Sequence, residues 1–338
     1  MKLRGRLSSK ERDRLGGYHL RLFASVDLEG STAFKQNPSN RGGRVWLGVL
    51  LKFVDQFDQT FWAHVGKAAR DAKRKMPPRP QLWKILGDEL VFTAEITHSA
   101  DAATYVDALA TALTEWNADV LAGLKAIPPR NDRPLRVKGA AWLADFPVTN
   151  AVLPVDGTHQ DFVGPAMDAG FRLAKLASPR RLALSVDLVW LLLRQNERRS
   201  IQFAGRTREL KGLAADSGYP QLWIEVAASA YHTHEQAVFG PRRPPIPGGQ
   251  LRMLCECFIA DFGVPPHPPH LPSEAADYPA PPGHEIHLLA AQEELTARYP
   301  DTGAEAPPAP RRKSSASPAE LAAQAANPPT PVRPASES

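Results

Sequence analysis

Alternation marks the first element of the chain. Leu20, Leu22, Ala24 and Val26 alternate with Arg21, Phe23, Ser25 and Asp27, the period-two pattern of a strand from about Tyr18 to Asp27. It places the aliphatic row on one sheet face and Asp27 on the other. Asn37 to Gly43 is a polar turn cluster. The period then changes. Leu47, Leu50, Val54, Phe57 and Phe61 recur at three- and four-residue spacing, which predicts a helix with one apolar stripe facing a sheet. Lys67 to Pro80 is basic, then proline-rich, and reads as a loop or insertion. Leu82–Ile85 and Leu90–Ile96 read as two strands joined through Leu86, Gly87 and Asp88, with Gly87 supplying the positive φ of a tight hairpin. A second helix begins at Ser99 and carries Tyr105, Leu109, Leu113 and Trp116. Pro128 to Pro134 breaks the chain before a strand over Leu135–Phe146.

The second half is more irregular. Pro147 to Gln160 reads as a turn-rich loop. Pro165 takes the favoured first position of a helix running to about Ala177, with Ala166, Ala169, Gly170, Leu173 and Ala177 on its packed side. Leu182–Ser185 reads as a short strand and Val186–Arg194 as a helix. Ile201–Phe203 and Leu222–Val226 read as closing strands, with Leu210, Lys211 and Gly212 between them. This order predicts an α+β fold, helices packed on a mostly antiparallel sheet. Beyond Gly240 proline, alanine, serine and glutamate dominate. The chain divides into a basic arm over 1–17, a folded domain over 18–240 and a Pro/Ala-rich tail over 241–338. That tail has too little apolar surface to offset ordering it and is expected to be mostly disordered. Gln250–Phe262, Glu285–Tyr299 and Pro318–Ala326 are its candidate helices, and a partner-docking segment is the alternative reading.

Composition narrows the class. The chain has 338 residues with a formal net charge of +5, a modest excess that suits a polyanionic substrate such as a nucleotide. No zinc-finger spacing and no aromatic-basic nucleic-acid motif is present, so no direct nucleic-acid partner is expected. Cys255 and Cys257 are too close to bridge without strain, which fits a reducing compartment. No apolar run reaches the ~20 residues of a membrane span, and no signal-peptide core opens the chain. A cytoplasmic protein without a membrane partner is expected.

Candidate chemistry gathers at a few points. Asp27 runs into Gly30, Ser31 and Thr32, small residues whose backbone N–H groups can face an anion. A carboxylate beside such a cradle makes sense with a metal ion between them, although an Asp before a Gly turn is also an ordinary turn device. Asp88 sits at the hairpin tip, again a common turn position. Together, Asp27 and Asp88 on neighbouring strands could hold two divalent cations that activate an attacking oxygen and neutralise a triphosphate. Asp168 and Arg172 lie four apart and share a helix face, either as an exposed salt bridge worth ~0.3–0.5 kcal/mol or as an Arg fork for a phosphoryl group.

These stretches, taken in order, resemble the catalytic domain of class III nucleotidyl cyclases (adenylate/guanylate cyclases). VDLEGST resembles its first metal motif and KILGDE, Lys84 to Glu89, its second. DFVGPAMDAGFR, Asp161 to Arg172, resembles the family's base-and-arginine segment, and LKG at Leu210–Gly212 its late lysine-glycine. The resemblance covers Leu20 to Val226 and implies a ferredoxin-like cyclase domain. It implies that Asp27, the carbonyl of Leu28 and Asp88 bind two ions, Mn²⁺ or Mg²⁺. It sets Gly30, Ser31 and Thr32 along the phosphates and Lys211 at the terminal phosphate. Lys84 and Asp161 fall at the base-reading positions, Asp168 at the ribose-orienting position and Arg172 at the transition-state arginine. It further implies a homodimer with composite sites, metal carboxylates from one copy and the base-reading and arginine residues from the other.

The base stays open. An ammonium and a carboxylate can read adenine, cytosine or uracil. Asp168 stands where the family has Asn, Lys67–Gln81 looks inserted, and Trp83, Trp142 and Phe162 are bulky residues near the expected site. With its short layout the chain looks most like the pyrimidine cyclases of bacterial Pycsar anti-phage systems. That favours UTP as substrate, cyclic UMP as product and a downstream cyclic-nucleotide-responsive effector as partner. CTP, ATP in an ordinary adenylate cyclase, and a degenerate dimerising or sensing module are the alternatives.

Overall fold

The computed structural model describes residues 15–36, 45–120, 135–154, 160–210, 213, 218–226 and 246–299. Strand β1 (His19–Glu29) is an interior strand of a seven-stranded sheet. A short helix α1 (Ser31–Gln36) and a long helix α2 (Val45–Asp71) follow. The hairpin of β2 (Gln81–Leu86) and β3 (Glu89–Ile96) leads into α3 (Ser99–Glu115) and β4 (Arg136–Phe146). β1 pairs antiparallel with β3 on one side and β4 on the other, and β2 closes the edge. The order β2-β3-β1-β4 with two crossover helices is the ferredoxin-like arrangement. The α+β class, with a mostly antiparallel sheet, is therefore what the chain adopts.

The second half extends that sheet. A small hairpin pairs β5 (Ala151–Pro154), inside the stretch expected as a loop, with β6 (Gln160–Val163), which starts at its last residue. Helix α4 (Pro165–Leu173), β7 (Arg181–Leu184) and α5 (Val186–Gln195) follow. β7 runs parallel to β4, and β8 (Gln202–Thr207) and β9 (Tyr219–Glu225) complete the sheet.

The two sheet faces differ in chemistry. Leu20, Leu22, Ala24, Val26 and Leu28 turn to the helical face, with Leu90 and Phe92 from β3. Phe53, Phe57 and Phe61 of α2 and Trp116 at the end of α3 pack against them. The buried stripe of α2 is Val49, Phe53, Phe57, Phe61, Val65 and Ala69. Of the stripe that the spacing predicts, Phe57 and Phe61 are on this buried face, Leu50 and Val54 are half-buried, and Leu47 is exposed. Fourfold steps between the aromatic residues set the true register. They also carry the helix through Lys67 to Asp71, where a loop was expected, because Val65 and Ala69 keep the stripe buried while Lys67 and Arg70 face outward.

On the opposite face Phe23 and Ser25 are fully buried, while His19, Arg21 and Asp27 keep partial exposure and Glu29 is exposed. Phe23 is stacked on Trp142 at 5.7 Å and meets Trp83 and Phe162 edge-on. Helix α4 and the β5–β6 hairpin lie over this aromatic floor.

Packing continues past Gly240, into the candidate helices Gln250–Phe262 and Glu285–Tyr299 of the tail. Helix α6 (Gly248–Phe262) buries Leu251, Cys255, Phe258 and Ile259 in the main core, against α5. Every residue of α5 from Val186 to Leu193 is buried. A helix apolar on all sides needs a second cover, and α6 supplies it. Helix α7 (His284–Arg298) closes the described chain. Residues 1–14 of the basic arm over 1–17, Pro318–Ala326 and the rest of 300–338 lie outside the described residues, and Leu15 of that arm is buried in the core.

Candidate functional site

Antiparallel pairing brings two distant carboxylates to one corner. Asp27, near the end of β1, stands opposite Glu89 on β3 and Lys138 on β4. The hairpin tip just before Glu89 holds Gly87, at φ 72°, and Asp88. The Leu28 N–H donates to the Asp88 backbone carbonyl at 3.2 Å, so the hairpin tip is fastened to the end of β1. Gly30, at φ 86°, turns the chain into α1. The Ser31 hydroxyl, expected along a phosphate, donates to the Asp88 carboxylate in a very short contact. Thr32 stays exposed.

Two lysines face these carboxylates. Lys138 Nζ lies 3.2 Å from Asp27 Oδ2, and Lys35 Nζ lies 3.6 Å from Asp88 Oδ1. Glu89 adds a third carboxylate on the same face, where it accepts from the Ser25 hydroxyl at 2.5 Å. The sequence reading assigned no role to Lys35, Lys138 or Glu89. Lys138 carried a signal, a cation set between Val137 and Gly139 just before the apolar run Gly139–Ala144.

The donor set fits a hard divalent cation. Both side chains are carboxylates, and the ammonium groups beside them mark where positive charge is needed. No cluster of three or more ligating side chains occurs among the described residues. A Mg²⁺-type site needs only one or two carboxylates when waters and substrate phosphates supply the rest. Asp27 and Asp88, with the Leu28 carbonyl, are the residues that would hold it.

A second cluster forms where β2 meets β6. The β2–β3 register shifts between Leu82 and Lys84. This bulge turns both Trp83 and Lys84 toward β6. Lys84 Nζ lies 2.6 Å from Asp161 Oδ1 and 4.4 Å from the centre of the Trp83 ring. Trp83 Nε1 donates to the Gln160 carbonyl at 2.9 Å. Phe162, next to Asp161, packs edge-on against Trp83 at 5.1 Å. The two residues expected to read a base are therefore a direct ion pair on an aromatic wall. Of the three bulky residues expected nearby, Trp83 and Phe162 are at this cluster. Trp142 is not: it is 1% exposed beneath α4.

Helix α4 presents the third group. Asn150 Oδ1 accepts from the Ala166 N–H at 3.0 Å and fixes the helix start. Gly164, at φ 141°, is pressed so close to Asn150 that a Cβ would clash. Gly170 rests on the Trp142 indole. Asp168 and Arg172, one turn apart, line a cavity of about 420 Å³. Among the described residues no hydrogen bond or ion pair joins Asp168, Lys84 or Asp161 to the Asp27–Asp88 corner. Lys211 and Gly212 lie outside the described residues. No described helix is long and apolar enough to cross a membrane.

No family model matches this chain, and no curated protein matches it. Solved structures similar to it include the adenylyl cyclase CyaB from P. aeruginosa, at 13% identity over 63% of this chain and 97% of that one, with a TM-score of 0.43. The guanylyl cyclase Cya2 follows at 13% identity over 64% and 95%, TM-score 0.40. The guanylate cyclase domain of RhGC from Catenaria anguillulae, in complex with GTP, is 10% identical over 63% and 100%, TM-score 0.39. At this level of similarity neither activity nor substrate transfers to this chain.

Proposed function

We propose that the protein is a nucleotidyl cyclase, converting a nucleoside triphosphate to its 3′,5′-cyclic monophosphate and pyrophosphate. The observation that carries this reading is the meeting of Asp27 and Asp88 at one sheet corner through the β1–β3 pairing. These are the two residues that the resemblance to class III cyclases singled out as metal carboxylates. The Lys84–Asp161 ion pair supports it as well, since the same resemblance sets these two residues at the base-reading positions.

In the reaction the substrate 3′-oxygen forms a bond to the α-phosphorus as the bond to the β-phosphate oxygen breaks. The hydroxyl proton leaves, and pyrophosphate departs. Divalent cations bound at Asp27 and Asp88 would acidify that hydroxyl and neutralise the triphosphate. Ser31 holds the Asp88 carboxylate in place. Lys84 donates to, and Asp161 accepts from, the edge of the base. Asp168 orients the ribose, and Arg172 meets the charge growing on the transferring phosphorus. Lys211 belongs to the terminal phosphate in this scheme.

UTP is the favoured substrate, with cyclic UMP acting on a separate effector. The Trp83–Phe162 wall beside the Lys84–Asp161 pair supports a small base over a purine. Two copies of the chain assemble the site, with Asp27 and Asp88 from one and Lys84, Asp161, Asp168 and Arg172 from the other.

Mixing inactive variants tests this arrangement. Asp27→Ala is expected to abolish cyclisation, and Arg172→Ala to lower it at least ~100-fold, about 2.7 kcal/mol of transition-state stabilisation. Co-refolding the two should restore about a quarter of wild-type activity, because half the dimers regain one of two sites. Cyclisation by a folded Asp27→Ala protein would defeat the assignment.

A further inference from the structure

The cavity lined by Asp168 and Arg172 has a floor and a wall that the proposed reaction does not use. Its floor lies at the end of β4 and the start of α5, and includes Asp145, Ser185 and Asp187. Its wall is the segment from Gly263 to Pro269, which follows α6.

Its acidic groups are not equivalent. Asp145 is satisfied: Thr149 Oγ1 donates to it at 2.9 Å, Asn150 Nδ2 at 3.3 Å, and His267 Nε2 stands 3.4 Å away. Asp187 is 6% exposed; the backbone N–H groups of Asp187 and Leu188 in the first turn of its own helix face its carboxyl, but it forms no ion pair among the described residues. Burial pushes its carboxyl up to about 6. Ser185 stands at the N-cap of α5, where a hydroxyl ordinarily caps the helix, yet no side-chain cap forms. Its Oγ is buried without a hydrogen-bond partner, as is Trp142 Nε1, and both residues line the cavity. The Ser185 hydroxyl is near enough to ease the burial of Asp187, but not in hydrogen-bond geometry. Buried polar groups are rarely left unmatched. Here the unmatched Ser185 hydroxyl, which can accept from an N–H, stands beside the Asp187 carboxyl in one cavity, with Leu143, Leu173, Leu213 and Val264 supplying apolar surface.

We propose that this cavity is a second ligand site, for a small amine or amidine with a flat apolar body, whose cationic group pairs with Asp187. Carboxyls outnumber fixed cations in the lining, Asp145, Asp168 and Asp187 against Arg172 with His267, which favours a cation over an anion. The apolar walls enclose the ligand's body. The ligand also lies against the helix that presents Asp168 and Arg172, so its binding reaches any reaction those residues serve.

The probe is benzamidine, titrated calorimetrically into the full chain, with benzamide and benzoate as the neutral and anionic counterparts. Benzamidine is expected to bind at least ~10-fold more tightly than either, and Asp187→Asn to remove that preference. Val264→Trp, which fills the cavity from the wall and leaves Asp187 intact, is expected to abolish binding, which also covers the case where Asp187→Asn fails to fold. Asp27→Ala should bind benzamidine as the wild type does, separating this site from the acidic corner. No binding by wild type, equal binding of benzoate, or unchanged binding in Val264→Trp would each overturn the proposal. None of these outcomes depends on the cyclase reading.

Discussion

Gly170 is the tightest point in the placement of α4. A Cβ added there would stand 2.1 Å from Trp142 Cε2, 2.2 Å from Cδ2 and 2.4 Å from Nε1. Ordinary carbon contacts begin at about 3.5 Å, so more than an ångström of separation is required. The indole has nowhere to retreat. It is 1% exposed, stacked on Phe23, and flanked by Phe171 at 5.5 Å. Helix α4 must therefore rise from the sheet, taking Asp168 and Arg172 with it. Helix propensity alone would make Gly→Ala stabilising by about 1 kcal/mol. Overpacking a tight core costs about 1–3 kcal/mol. With an overlap this deep, Gly170→Ala is expected to be net destabilising by about 1–2 kcal/mol. Urea unfolding followed by far-UV circular dichroism gives the value. Adding Trp142→Leu makes room for the methyl, and the double mutant should recover at least ~1 kcal/mol relative to the sum of the singles. A Gly170→Ala protein as stable as wild type, or more so, would refute this packing and the position of Arg172 that depends on it.

Lys138 competes with a cation for Asp27 across 3.2 Å. Lys138→Met is expected to tighten Mn²⁺ binding in the absence of nucleotide by about fivefold, a partly exposed charge contribution of order 1 kcal/mol; unchanged or weaker Mn²⁺ binding by calorimetry would contradict this. The buried Asp187 also sets a pH dependence. Its carboxyl is pushed up from 3.8 to about 6, chiefly by burial, with the Asp145 charge adding to it. The folded state then holds a proton that the unfolded chain releases. The stability from Asp187 is fully present below about pH 4 and is lost as pH rises through about 6, a swing of up to about 3 kcal/mol. Unfolding midpoints measured from pH 4 to 7 should fall by more in wild type than in Asp187→Asn, and parallel curves would show that Asp187 is not buried as a carboxyl.

The sequence carried the ferredoxin-like core well because each element had a period of its own. Alternation marked β1, a Gly-Asp tip marked the β2–β3 hairpin, and Pro165 marked the start of α4. The β1–β3 pairing, which joins Asp27 to Asp88, followed from that order. Other features depended on three-dimensional context. The α2 register was blurred by extra leucines, Leu47 and Leu51, that remain exposed. The bulge at Trp83 left no local signature, so the turn of Lys84 toward Asp161 could not be read from spacing. The C-terminal helices were legible as the candidates Gln250–Phe262 and Glu285–Tyr299, but their proline-rich surroundings hid that the first of them packs into the main core. One clue did point to it: α5 is apolar on every side, and such a helix cannot face water. Lys35 and Lys138 were legible only as charges, since their pairing with the two aspartates depends on the sheet.

The most direct test is to incubate purified protein with Mn²⁺ and each of ATP, GTP, CTP and UTP, and to identify the products by mass spectrometry. A 3′,5′-cyclic nucleotide with release of pyrophosphate is expected, with UTP giving cyclic UMP in greatest yield. No cyclic product from any of the four, with protein that is folded and dimeric, would contradict the account and leave a nucleotide-sensing or dimerising module in its place.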